Sequence, residues 1–163
     1  MSQDDRAHAR YDIGVCAVLE AEAIGEAGNR HFRLRASAEN GSALLWLEKE
    51  ELRELAVTVK RMLRTSVNTS GVPQANGDAD SRADFEFKVQ RLALGYDRGS
   101  GRYMLLAQVS EEEGDAIALW ADRATLDRMA DQAFDAHDAG RIRCPLCGGP
   151  VAEGKRHVCP RAN

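Results

Sequence analysis

The side chains best suited to chemistry lie near the C-terminus. Cys144-Pro-Leu-Cys147-Gly-Gly presents two thiols on one tight turn, and His157-Val-Cys159 follows after nine intervening residues. Thiolate sulfur and imidazole nitrogen are donors that zinc favours, and four of them close a tetrahedral structural site. Gly148 and Gly149 allow backbone amides to approach the sulfur, and Pro145 stiffens the turn before metal arrives. The pattern predicts a zinc site with Cys144, Cys147, His157 and Cys159 as ligands. His157 is the ligand that spacing supports least, because His-x-Cys is tighter than the common His-x₃-His.

Other uses of these thiols fit less well. A disulfide framework spreads its cysteines through a small secreted chain. Here three of the four cluster at one end, and Cys16 sits alone in an apolar run, as a small buried hydrophobe does. A redox C-x-x-C lowers its thiol pKa at a helix N-terminus, whereas this pair follows a helical pattern and precedes Gly148-Gly149-Pro150. A catalytic zinc needs an open coordination position, which four protein ligands do not leave. A three-cysteine site with His157 turned away would leave one. An inert tail is the remaining alternative. Neither His8 nor His31 is followed by the His-x-Glu spacing of nucleobase deaminases. No Ser-His-Asp set, phosphate loop or dinucleotide fingerprint is found, so no residue is assigned a catalytic role.

Charge separates the tail from the rest. Residues 141–163 carry a net +4, leaving −8 on the remainder of a chain whose net charge is −4. The acidic body is a poor candidate for bulk nucleic-acid binding. The tail arginines Arg141, Arg143, Arg156 and Arg161, with Asn163 at the end, are candidates to meet an acidic protein surface or RNA phosphates. Few aromatics lie nearby to stack bases. Pro160-Arg161-x-Asn163 is not required by metal binding alone. Gly25-x-x-Gly28-x-Arg30 reads as a turn whose Arg30 could hold an anion or simply begin a strand. His31 at a strand start reads as structural, and His137 as favouring a helix dipole. Glu111–Glu113 reads as a solvated turn, since cation loops space their carboxylates apart.

The 163 residues, 44% apolar and 29% charged, suffice for one folded unit with a small appendage. No run approaches a membrane span, and the polar start MSQDDRAHAR has no signal-peptide core, so the expected location is the cytoplasm with no membrane contact. Tyr11, Ile13, Val15, Ala17, Leu19 and Ala21 alternate as one face of a strand. A turn at 25–29, a strand from His31, an Asn40-Gly41 hairpin turn and a strand over Ala43–Leu47 follow. Leu52, Leu55, Ala56, Val59 and Leu63 line one face of a helix over about 49–63. Residues 65–83 have no periodicity and read as a linker. The pattern then restarts. Phe85, Phe87 and Val89 alternate, the phase slips at Gln90-Arg91 as in a β-bulge, and Leu92, Leu94 and Tyr96 continue. Strands over 103–109 and 116–120 precede a helix over 123–138, with Asp122 as N-cap and Gly140 near its end. Its apolar face is Leu126, Met129, Ala130, Ala133 and Phe134.

The halves also align by residue. Trp46 through Ala56 matches Trp120 through Ala130 at an offset of 74, and Phe32–Ala36 matches Tyr103–Ala107 at 71. The predicted fold is α+β: two β-β-β-α pseudo-repeats forming one antiparallel-sheet domain over 11–139, then a zinc knuckle over 140–163. The leading expectation is a non-enzymatic adaptor that presents the basic tail. The alternatives are an enzyme with a pocket between the repeats and an RNA-binding accessory protein. Composition does not fix the oligomeric state.

These residues resemble a bacterial family known as domain of unknown function 3090. The likeness runs from Gly25-x-x-Gly28-x-Arg30-x-Phe32-x-Leu34-x-Ala36 and Leu47-Glu48-Lys49 through Leu55-Ala56, to Phe87-Lys-Val89 and Leu94-Gly-Tyr-Asp97. It is most specific in Cys144 to Gly148 and in His157 to Asn163. The resemblance implies a zinc-ribbon-like end and no assigned activity. Relatives are expected to carry a slightly shorter loop before the histidine, and a Gly-Tyr and basic extension after the asparagine.

Overall fold

The computed structural model describes residues 11–26, 28–65, 84–110, 116–139, 142–151 and 156–162. Residues 66–83 of the expected linker, the acidic turn 111–115 and Gly140 lie outside these. The elements are β1 (Tyr11–Ile24), β2 (His31–Ala38), β3 (Gly41–Leu47), α1 (Lys49–Thr65), β4 (Phe85–Lys88), β5 (Arg91–Asp97), β6 (Arg102–Gln108), β7 (Ala116–Ala121), α2 (Arg123–Asp138), β8 (Ile142–Arg143) and β9 (Pro150–Val151).

The α+β class stands, but the sheet is mixed rather than antiparallel, and the second half carries four strands before its helix where the first carries three. Its seven strands run in the order β4-β3-β2-β1-β7-β6-β5. The pairs β1–β7 and β3–β4 are parallel, and the others are antiparallel. Each parallel pair joins the first strand of one unit to the last strand of the other. The expected bulge at Gln90-Arg91 is instead a change of partner. The Val89 amide donates to the Trp46 carbonyl (2.9 Å) and the Gln90 amide to the Gln108 carbonyl (2.8 Å). β4 and β5 thus lie on opposite edges of the sheet, joined by two residues. Flat, seven strands would hold those edges about 29 Å apart. The connection spans at most about 11 Å, so the sheet curls until its edges meet there.

β1 follows the same plan. Its first residues pair with β7 and the stretch from Cys16 to Ile24 with β2. Register shifts fall after Asp12 and after Cys16, and Gly14 adopts φ 88°, which a side chain rarely tolerates. Each shift reverses the strand's phase, so the single alternating face expected from the sequence is broken. Ile13, Cys16, Leu19 and Ala21 are buried, while Val15 and Ala17 face out.

One core fills the space between sheet and helices, built on Leu19, Leu34, Leu45 and Leu105 from strands and Leu52, Val59, Leu126 and Met129 from helices. All five apolar positions expected on α1 are buried. On α2, Phe134 is only partly buried, whereas Thr125 and His137 are buried. The Asp122 carboxylate caps α2 by accepting the Thr125 amide hydrogen at 2.7 Å. The Glu51 carboxylate accepts the Glu48 amide hydrogen at the start of α1 (2.8 Å). The helices pack on each other, and α2 lies along β1. Lys60 of α1 reaches Asp127 (2.5 Å) and Asp131 (2.6 Å) of α2. His137 near the end of α2 sits 3.5 Å from Glu50 at the start of α1, which adds a tie between the helices to its place near the dipole end.

Candidate metal centre

Locally, β8 and β9 pair antiparallel and bracket the Cys144–Gly149 turn. The Cys144 amide donates to the Gly149 carbonyl (2.9 Å), and the Gly148 amide donates to the Cys144 carbonyl (2.8 Å). Gly148 takes φ 69°, a left-handed conformation that glycine adopts without steric cost. This turn brings both thiols to one side, and the returning segment brings His157 and Cys159. The donor atoms of Cys144, Cys147, His157 and Cys159 all lie within 4.8 Å of one another. The His157 Nε2 is 3.3 Å from the Cys147 sulfur. Two donors about 2.3 Å from one ion at the tetrahedral angle lie about 3.8 Å apart. The four are therefore close enough to hold one metal ion, and the histidine least supported by spacing sits within the cluster.

The surroundings favour negatively charged sulfur. The Gly149 amide points at the Cys147 sulfur from 3.4 Å. A Cβ at Gly149 would stand 3.3 Å from that sulfur and 3.9 Å from the His157 ring. Backbone amides of Cys147 and Leu146, aimed at the Cys144 sulfur, bring its pKa down to about 6. Cys147 is pushed the other way: the Gly149 amide favours its thiolate, but desolvation and the neighbouring Cys144 and Cys159 outweigh it. Without an ion, one thiolate forms readily and suppresses the next. A divalent cation would relieve that repulsion. Cys16 is far from this chemistry. Burial pushes its thiol up to about 12, with Asp12 adding to the shift and a backbone hydrogen bond at Trp120 opposing it.

Of the basic residues proposed from sequence, Arg156 and Arg161 are exposed. Arg161 lies in a turn closed by the Ala162 amide and the Cys159 carbonyl (3.1 Å). Arg141, the Arg143 side chain and Asn163 lie outside the described residues. Arg30 is not part of this group. It lines a cleft of about 550 Å³ at the start of β2 and α1, whose described walls include no tail residue. A second cleft, about 290 Å³, lies between α1 of the first unit and β5 of the second, with Glu51 and Glu54 opposite Arg91.

Two features escaped the sequence reading. Leu146 (57% exposed) and Val158 (87% exposed) project from the metal-binding segment into solvent. In addition, each unit's tryptophan indole donates to a carboxylate on the other unit's first strand. Trp46 bonds Glu86 at 2.8 Å, and Trp120 bonds Asp12 at 3.1 and 3.2 Å. The signal was present, because Asp12 and Glu86 are separated by the same 74 residues as Trp46 and Trp120. So are Tyr11 and Phe85, whose rings meet with centroids 4.8 Å apart.

No helix among the described residues is long and apolar enough to cross a membrane. Comparison with curated proteins brings no match, and neither does comparison with solved structures. The family described as "Protein of unknown function (DUF3090)" matches residues 11–159, which covers the seven-stranded sheet, both helices and all four metal-binding candidates. The chain belongs to that family.

Proposed function

We propose that this protein is a zinc-stabilised binding module, and that its C-terminal segment is the surface that meets a partner. The observation that carries the reading is the convergence of Cys144, Cys147, His157 and Cys159 on one point. Three sulfurs and one imidazole suit zinc over hard cations that prefer oxygen. Four protein donors fill a tetrahedron, so the metal's role is structural. It adds to the two-residue ladder of β8 and β9 and ties in the segment that carries His157 and Cys159. The knuckle then holds Leu146 and Val158 outward beside the exposed Arg156 and Arg161. Exposed apolar side chains beside positive charge suit an acidic partner that carries apolar anchors of its own. The recurrence of strand order, tryptophan–carboxylate pairing and the 74-residue offset supports an origin of the body by internal duplication.

Metal analysis of natively purified protein tests the first half. One zinc per chain is expected, lost or greatly reduced in Cys159→Ser. Metal-free protein with four titratable thiols and an intact fold would sink the assignment and return Cys144 and Cys147 to the redox alternative. The second half is tested by affinity capture from the native host. A partner held by the wild type and lost with Leu146→Ser, Val158→Ser, Arg156→Ala and Arg161→Ala combined supports it, provided zinc content is unchanged. Capture indifferent to the four changes overturns it.

A further inference from the structure

The larger of the two clefts has none of the metal-binding candidates among its lining residues. Its wall is formed by the turn before β2, the end of β3, the start of α1 and the end of β4. Arg30 is among its lining residues. The Arg30 Nε is buried and has no hydrogen-bond partner among the described residues. Nearby arginines on β2 are matched. Arg33 meets Glu22 at 2.7 Å, and Arg35 meets Glu22 at 3.0 Å and also Glu20. A buried donor that has lost its hydration and gained no acceptor is uncommon in a folded protein and calls for an explanation.

The other charged residues of the cleft are mostly cationic. Lys49 and Lys88 line it with Arg30, and His31 stands at its edge. The carboxylate among the lining residues is Glu48, which Lys88 occupies at 2.9 Å. Among the described residues, Arg30 and Lys49 have no ion-pair partner. Lys49, the first residue of α1, supplies the charge on this side, because the helix dipole itself is already met by Glu50 and Glu51 in the first turn. Gly28 opens the turn side, since nothing stands within 4 Å of where its Cβ would be. Trp46 and Phe32 supply apolar wall.

The corresponding place in the second unit shares part of this equipment, since Arg123 stands where Lys49 does and Arg102 where His31 does, but it lacks counterparts of Arg30 and Lys88. The strand pairing that sets Lys88 beside Trp46 sets Val15 beside Trp120. By the 71-residue offset, Gly101 stands where Arg30 does. The buried, unpartnered guanidinium is therefore a property of this one cleft and not a by-product of the repeated fold.

We propose that the cleft is a binding site for a phosphorylated small molecule. Its phosphate dianion meets Lys49 and the Arg30 guanidinium, which turns its buried Nε toward the cleft to gain the acceptor it lacks, and its organic portion fills the space toward Trp46. A guanidinium fork suits a phosphate oxygen pair. A space of about 550 Å³ is within the range of small-molecule sites and larger than phosphate alone requires.

The test is calorimetric titration of the full chain with adenosine monophosphate, glucose 6-phosphate and inorganic phosphate. At least one ester is expected to bind more tightly than inorganic phosphate. Arg30→Met should weaken it at least about tenfold, while Arg98→Met, an exposed arginine in the turn between β5 and β6, leaves it unchanged. The ester should also raise the melting temperature of the wild type and not of Arg30→Met. Without ligand, Arg30→Met should melt no lower than the wild type, because it removes an unsatisfied donor. Absence of binding by every probe up to about 10 mM overturns the proposal, as does binding that Arg30→Met leaves intact. Equal affinity for esters and inorganic phosphate overturns the organic half and assigns the site to free phosphate.

Discussion

At the scale of single residues, two positions carry predictions that do not depend on a partner. Gly149 lets its own amide reach the Cys147 sulfur, and a side chain there would press on that sulfur and on the His157 ring. Gly149→Ala should therefore weaken metal affinity at least about tenfold, in line with the loss of an outer-shell contact. Competition with a chromophoric chelator would measure it, and unchanged affinity would show that the turn relaxes freely. Cys16 is the second position. Its folded thiol holds its proton up to about 12, while an unfolded thiol ionises near 9.0. Below pH 9 both states are protonated and stability is unaffected. As pH rises from 9 toward 12 the unfolded state alone loses the proton, so stability falls by about 1.4 kcal/mol per unit. Cys16→Ala removes this dependence, at a cost of about 1 kcal/mol from lost packing at neutral pH. Urea unfolding of both proteins from pH 7.5 to 10.5 should show the gap closing above pH 9, and parallel curves would contradict the assignment.

At the scale of elements, the two indole–carboxylate bonds tie together strands that are distant in sequence. Trp120 and Asp12 are 108 residues apart, and Trp46 and Glu86 are 40 apart. They span the two parallel ladders, where the units join. Trp120 is 7% exposed and Trp46 is half-buried. Water can replace the bond more readily at Trp46. Trp120→Phe should cost about 1–3 kcal/mol and Trp46→Phe less than about 1 kcal/mol. Urea midpoints would check the order, and equal losses would mean that burial does not set their worth. The helices were legible at this scale, since Leu52, Leu55, Ala56, Val59 and Leu63 fall at one period whatever lies beneath them. The strands were legible in number but not in phase. Val15 and Ala17 belong to the inner parity by alternation, yet the shifts around Gly14 and Cys16, set by two different partner strands, turn them outward.

At the scale of the molecule, the body and the metal centre draw on separate sources of stability. The large core cluster contains no residue of the C-terminal segment. The metal-binding candidates instead gather around one another. Stripping metal with a strong chelator should collapse the amide resonances around Cys144, Cys147 and Cys159 and leave those of Leu34, Leu45 and Leu105 in place. Loss of the core resonances together with them would mean that the metal also holds the body.

The sequence alone determined what depends on local spacing: the thiol pair and its glycines, the periods of both helices, the hairpin at Asn40-Gly41, and the matched tryptophans. Short-range sterics and ligand chemistry act over a few residues, so they are written in order along the chain. Only the tertiary structure decided which strands pair. The parallel ladders join Tyr11 to Ile117 and Ala43 to Phe85, and no local pattern encodes a partner so far away. The same long-range pairing sets Lys88 at the cleft that holds Arg30, although the two are 58 positions apart in the chain. It brings Lys88, paired with Glu48, into the wall that also holds Arg30 and Lys49, which neither segment reveals alone.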